Sequence, residues 1–84
     1  MESGNIKEAV KEFILKEFLP DEAPENLAYS TALVTTGILD SLATLDLVSF
    51  LEETYGIKVA AHEVGVDHMN TIDEIASFVI SKQA

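Results

Sequence analysis

The sequence predicts an all-α domain: a small four-helix bundle with three main helices, one short helix, and a long loop between the first and second. Three observations carry this. The chain has 84 residues, enough for one domain and not for two cores. Its apolar residues recur at helical spacing almost everywhere. Pro20 and Pro24 end the first helical run and keep another from starting.

The first helix is expected from about Asn5 to Phe18, with Ile6, Val10, Phe13 and Ile14 on one stripe and Lys7, Lys11 and Lys16 off it. Asn5 is the expected N-cap, with Glu8 three residues on reaching back as in a capping box. From Leu19 to about Asp40 runs a connection too long to be structureless in a compact domain. Leu27, Leu33, Val34, Ile38 and Leu39 should turn inward from it, and Gly37 is a plausible site of positive φ.

The second helix is expected from Ser41 to Tyr55, ending at Gly56. Ile57 and Val59 alternate with Lys58, residues 60–64 have room for one or two helical turns, and Gly65 should break them. Thr71-Ile72-Asp73-Glu74 has the form of a capping box for the last helix. That helix should bury Ile72, Ile75, Ala76, Val79 and Ile80, with Lys82 in the last turn favourable to its dipole.

Composition narrows the function. Fifteen acidic residues face five Lys and no Arg, a formal net charge of −10, so nucleic acid and anionic membrane surfaces would repel the chain. At 48% hydrophobic the chain is too apolar for a charged disordered segment. Without Cys there are no disulfides, thiolate metal sites or cysteine catalysis. Residues 1–4 start no signal peptide, and no apolar run approaches the roughly 20 residues that span a bilayer, so a cytoplasmic protein with no membrane insertion is expected. His62 and His68, near Glu63 and Asp67, fit no closed metal site and read as surface histidines; no metal and no catalytic residues are expected.

On a helical wheel from Leu42, the residues Ala43, Phe50, Leu47, Leu51, Tyr55 and Val48 form one apolar arc, the expected core face. Asp46, Ser49, Glu52 and Glu53 form the opposite arc, and Leu42 and Leu45 fall among them. Two leucines among carboxylates suit docking to a basic, apolar partner surface, but single exposed leucines are also ordinary. Ser41 alone reads as a cap or first-turn residue. A phosphate on it would sit where free backbone N–H groups and the helix dipole favour negative charge.

Asp40-Ser41-Leu42 after Gly37-Ile38-Leu39, then Asp46-Leu47, Leu51-Glu52-Glu53 and Tyr55-Gly56-Ile57-Lys58-Val59, together resemble the acyl carrier protein family. Chain length, acidity and the order of helices resemble it too, across nearly the whole chain. The resemblance implies a bundle of acyl-carrier type and no enzyme activity. It implies that Ser41 receives covalent 4'-phosphopantetheine from coenzyme A through a phosphopantetheinyl transferase. The thiol of that arm would then carry acyl or aminoacyl groups as thioesters. It further implies that Asp40, Asp46, Glu52 and Glu53 meet basic patches on partners and that Leu42 and Leu45 serve the same contacts, with Ser49 on the same face. The implied partners are a loading ligase for acyl or aminoacyl groups and acyltransferases or synthases with basic docking patches; the carrier itself is expected as a monomer. From Glu17 to Ile57 the chain has eight acidic residues and no basic one, which agrees.

The sequence departs from the pattern of housekeeping carriers of fatty acid biosynthesis. Ala43 follows Asp40-Ser41-Leu42 where those have an acid, Ser49 stands where they often have Met, and Val64–Asn70 looks about two residues longer. Ile38-Leu39-Asp40-Ser41-Leu42 and Tyr55-Gly56-Ile57 look more like discrete carriers of specialised lipid, cell-surface or secondary-metabolite pathways, aminoacyl carriers among them. The Gly-Gly-His or Gly-Gly-Asp of peptidyl carriers is absent before the serine. The rival reading is an unmodified acidic helical adaptor that binds a basic partner through the second helix.

Overall fold

The computed structural model describes residues 2–83, and the side chains of all of these except 2–4, 66 and 67. Helix α1 spans Glu2–Phe18, α2 Ser41–Tyr55, α3 Val66–Met69 and α4 Ile72–Gln83, with 3-10 turns at Pro24–Asn26 and Ala61–Glu63. This is the expected bundle of three main helices and one short one. Its radius of gyration of 11.6 Å matches the roughly 12 Å expected for a compact chain of this length. No helix among the described residues is long and apolar enough to cross a membrane.

α1 packs chiefly against α4, and α2 lies against both. Ile6, Val10 and Ile14 face Leu47 and Leu51 of α2 and Ile72, Ile75, Ala76 and Val79 of α4 in one buried cluster. Each such side chain contributes about 1.5–3 kcal/mol of apolar burial. Phe13 of the predicted stripe is only half-buried and stacks on Phe50.

Helix α1 begins earlier than expected. Asn5 lies inside it and is exposed, and the Glu8 carboxylate accepts the hydroxyl of Tyr29 instead of reaching back to the backbone. Continuing the helix adds a hydrogen bond per residue, which outweighs the few tenths of a kcal/mol that Asn costs inside it.

The long connection is part of the core. Leu27, Leu33 and Leu39 are buried, with Val34 and Ile38 packed beside them. Gly37 does take positive φ, +83°. Asn70, between α3 and α4, fastens this loop. Its backbone carbonyl accepts the Leu33 N–H, and its Oδ1 accepts the N–H groups of Val34 at 3.0 Å and Thr35 at 3.1 Å. The Tyr29 carbonyl accepts the Asp73 N–H at 3.1 Å, tying the loop to the start of α4.

The short helix lies further along than expected. Residues 61–63 form only a 3-10 turn, and Gly65 starts α3 instead of ending a helix, its carbonyl accepting the N–H groups of His68 and Met69. The physical reason is Met69, fully buried, which this one helical turn directs into the core. In α4 the Thr71 hydroxyl accepts the Glu74 N–H at 3.0 Å, so Thr71 caps as predicted. The predicted stripe needs one correction: Ile80 is 37% exposed and Phe78 is buried. The two flank the stripe about equally on a wheel, but His68 and Lys82 cover Phe78, 4.9 and 5.5 Å from its ring centre.

Candidate functional site

The approach to Ser41 is rigid. Leu39 is buried and donates its N–H to the Leu33 carbonyl at 2.9 Å. Asp40 then caps α2: its Oδ1 accepts the Ala43 N–H at 2.8 Å, and its backbone carbonyl accepts the Thr44 N–H at 2.9 Å and the Thr44 hydroxyl at 2.8 Å. Such a cap contributes about 1 kcal/mol. Thr44 is buried yet satisfied by this bond. Ser41 is therefore the first residue of the helix and not its cap, and it is exposed. The Asp at the position before the helix was the signal for the cap.

Ser41 and Asp40 stand at the edge of a cleft of about 520 Å3. Val34 and Leu39 from the long loop, Thr44 and Leu45 of α2, and Val64 and Gly65 after α2 line it. Among the described residues no His or Lys lines it, and Asp40, the titratable group that does, is engaged with the Ala43 N–H. Among the described residues no side chain other than Asp40 is both titratable and part of the cleft, and the Ser41 hydroxyl faces outward from the first turn of α2. Ser41 is open to solvent beside an apolar cleft, which fits a long covalent substituent. Such an arm would supply the thiol that this chain, without Cys, lacks.

The predicted docking face divides in the structure. Leu42 is 74% exposed and Leu45 55%, and Asp46, Ser49 and Glu53 are exposed with them. Asp40 and Glu52 belong to the fold as well. Glu52 is half-buried, and its Oε2 accepts the Val59 N–H at 2.9 Å. On the expected core face Ala43, Leu47, Val48 and Leu51 are buried, and Phe50 and Tyr55 are half-buried at its edges. Burial pushes the Tyr55 phenol above its ordinary pKa.

Glu63 repeats the device of Glu52. Its Oε1 accepts the Ala60 N–H at 2.9 Å and meets the Lys82 ammonium at 2.7 Å. The Lys82 hydrogen bond first, then that of Ala60, hold the Glu63 carboxyl below the ordinary range. Two carboxylates thus hold adjacent amides of the segment that leads to Val64 and Gly65. The bond of Glu52 to Val59 and the role of Asn70 join residues that the fold brings together, whereas Glu63 takes the Ala60 amide within its own turn, a local capping pattern that the spacing Ala60–Glu63 could have signalled. His62 and His68 are both exposed. Among the described residues no group of three or more His, Asp or Glu is placed to hold an ion, and the Asp67 side chain lies outside the described residues.

No protein-family model matches the chain. It is similar to the D-alanyl carrier proteins of Streptococcus pyogenes serotype M5 (strain Manfredo) and serotype M49 (strain NZ131). Each is 36% identical over 75 residues, which covers 89% of this chain and 91% of the relative. The solved structure of KstB-PCP in its apo form superimposes with a TM-score of 0.70 at 33% identity, covering 87% of this chain and 80% of that one.

Proposed function

Because the chain belongs to the acyl carrier protein family, and so is a carrier that works through covalent 4'-phosphopantetheine, we propose that Ser41 is the attachment point of the arm. The observation that carries this is the exposed Ser41 hydroxyl, first in α2 behind the capping Asp40 and beside an apolar cleft. Asp40 and Thr44 hold the backbone that positions Ser41. Leu42, Leu45, Asp46, Ser49 and Glu53 form the face that partners read, with Glu52 at its edge. The partners are a phosphopantetheinyl transferase, a loading ligase and the proteins that accept the cargo.

The cargo we propose is an aminoacyl group, D-alanine being the one for which the relatives are named. Those relatives are not named for fatty acid biosynthesis, so the specialised pathway is favoured over the housekeeping one. The unmodified adaptor is not favoured, since its docking face is equally present in a carrier. We place the protein in the cytoplasm, as a monomer, where coenzyme A and the transferase would meet it.

Mass spectrometry tests the assignment. Incubation with coenzyme A and a broad-specificity transferase should add one phosphopantetheine to the wild type and nothing to Ser41→Ala, with helix content unchanged. Uptake of the arm by Ser41→Ala would refute the site. Failure of the wild type, with a control carrier modified in parallel, would restore the adaptor reading. The mass of the protein drawn from its own cells reads the cargo.

A further inference from the structure

Where α1 crosses α2, Phe13 and Phe50 stack with ring centres 4.4 Å apart at 19°, and Phe18 meets Phe13 edge-on at 5.7 Å. Both stacked rings are only half-buried. A recess of about 370 Å3 opens against them, lined by Phe13, Phe50, Ser49 and three acids, Glu17, Asp46 and Glu53. A second recess of about 320 Å3 continues on the α1 side and adds Glu12 and Lys16. Among the described residues the ion pairs are Lys7–Asp73 and Lys82–Glu63, and neither lies here. The aromatic floor is thus rimmed by carboxylates, and among the described residues no cation lines the first recess.

We propose that this recess is a docking site for an arginine side chain of a protein partner, reached from α1 as well as α2. The charges exclude an anion. A purely aliphatic ligand would strip water from three carboxylates and give them no hydrogen bond in return. A lysine ammonium is strongly hydrated and makes a point contact, whereas a guanidinium is planar and weakly hydrated. It lies flat on a phenyl ring while its N–H groups donate to carboxylates at the rim. The site is also well placed for a carrier. Asp46, Ser49 and Glu53 follow Ser41 by about 8, 12 and 18 Å along α2 at the helical rise, so a partner anchored here leaves the Ser41 end open. Recognition then extends beyond the Leu42–Leu45 surface onto α1, and it operates whether or not Ser41 carries an arm.

The test uses the unmodified, isotope-labelled protein and a short peptide, acetyl-Ala-Arg-Phe-Arg-Ala-amide, with its lysine counterpart as control. Saturable chemical-shift changes should centre on Phe13, Glu17, Phe50 and Glu53, and the arginine peptide should bind at least threefold more tightly than the lysine one. Glu17→Gln with Glu53→Gln, both at exposed positions, should weaken it at least threefold. Phe50→Leu should abolish the preference for arginine. Equal affinity of the two peptides, shifts centred on Leu42 and Leu45, or indifference to the double Gln variant would each overturn the proposal. The double variant decides the matter even if Phe50→Leu does not fold.

Discussion

The two connections that flank α2 are held by opposite means. The long one, before Ser41, is fastened by apolar burial. Leu27, Leu33 and Leu39 have almost no exposed surface, and Asn70 takes the amides beside them. The shorter one, residues 56–65, buries Ile57, packs Val59 and Val64 partly against the core, and is held besides by carboxylates at its surface: Glu52 on the Val59 amide, and Glu63 on the Ala60 amide and Lys82. Each connection supplies one side of the cleft beside Ser41. One wall is therefore fastened by fully buried leucines, while the other combines partly buried Val59 and Val64 with polar bonds at the surface.

The sharpest way to break the contrast is in the long loop. Leu33→Ala removes a fully buried side chain and should cost about 3 kcal/mol, which for a domain of this size lowers the melting temperature by 10 °C or more. Denaturant titration measures it, and a loss under about 1 kcal/mol would mean that the loop is not part of the core. Asn70→Ala comes next. It leaves the Val34 and Thr35 amides without their shared acceptor and should cost about 1–3 kcal/mol, with faster hydrogen exchange at both amides.

In the shorter connection the effects should be smaller and local. Glu52→Ala should cost about 1 kcal/mol and raise hydrogen exchange at Val59 while Leu33 and Leu39 stay protected. Similar deprotection of both connections would show that they move as one unit. For Glu63 the contribution depends on pH with a definite sign. Its carboxyl is held below the ordinary value in the fold, so the stabilisation is present above about pH 4.3 and is lost as pH falls through the lowered value. Lys82→Met should thus melt earlier than the wild type at pH 7, and the gap should close as pH falls through the lowered Glu63 value. A difference that persists in acid would assign Lys82's contribution to its packing over Phe78 instead.

The smallest expected effect concerns ions. Dense carboxylates at Asp21, Glu22 and Glu25, in the second helix, and around Glu63 and Asp67, suggest from the sequence that Ca²⁺ or Mg²⁺ would stabilise the fold beyond screening. The described residues contain no ion-holding group, and Glu22 instead accepts a hydrogen bond from Asn26. Melts in NaCl, MgCl₂ and CaCl₂ at matched ionic strength should superimpose within about 2 °C, given the scale of 4–8 °C per kcal/mol. A larger rise with Ca²⁺ alone would point to a site formed with Asp67.

By itself the sequence determined the three long helices, the inward face of the long loop, the positive φ at Gly37 and the exposure of Leu42 and Leu45. All of these follow from local pattern: periodicity, turn residues and capping. It also marked Ser41, through residues adjacent in the chain. Only the tertiary structure decided what depends on neighbours distant in sequence. Phe78 is buried and Ile80 is not because His68 and Lys82 lie over one flank of α4. The short helix falls at Val66–Met69 because Met69 has a place in the core. Asp40, Glu52 and Glu63 are all acids on an acidic chain, and the sequence gives the last two no different reading from Asp46 or Glu53. Asp40 and Glu63 find their amides three residues away within their own turns, whereas Glu52 reaches the Val59 amide only where the segment after α2 folds back on it.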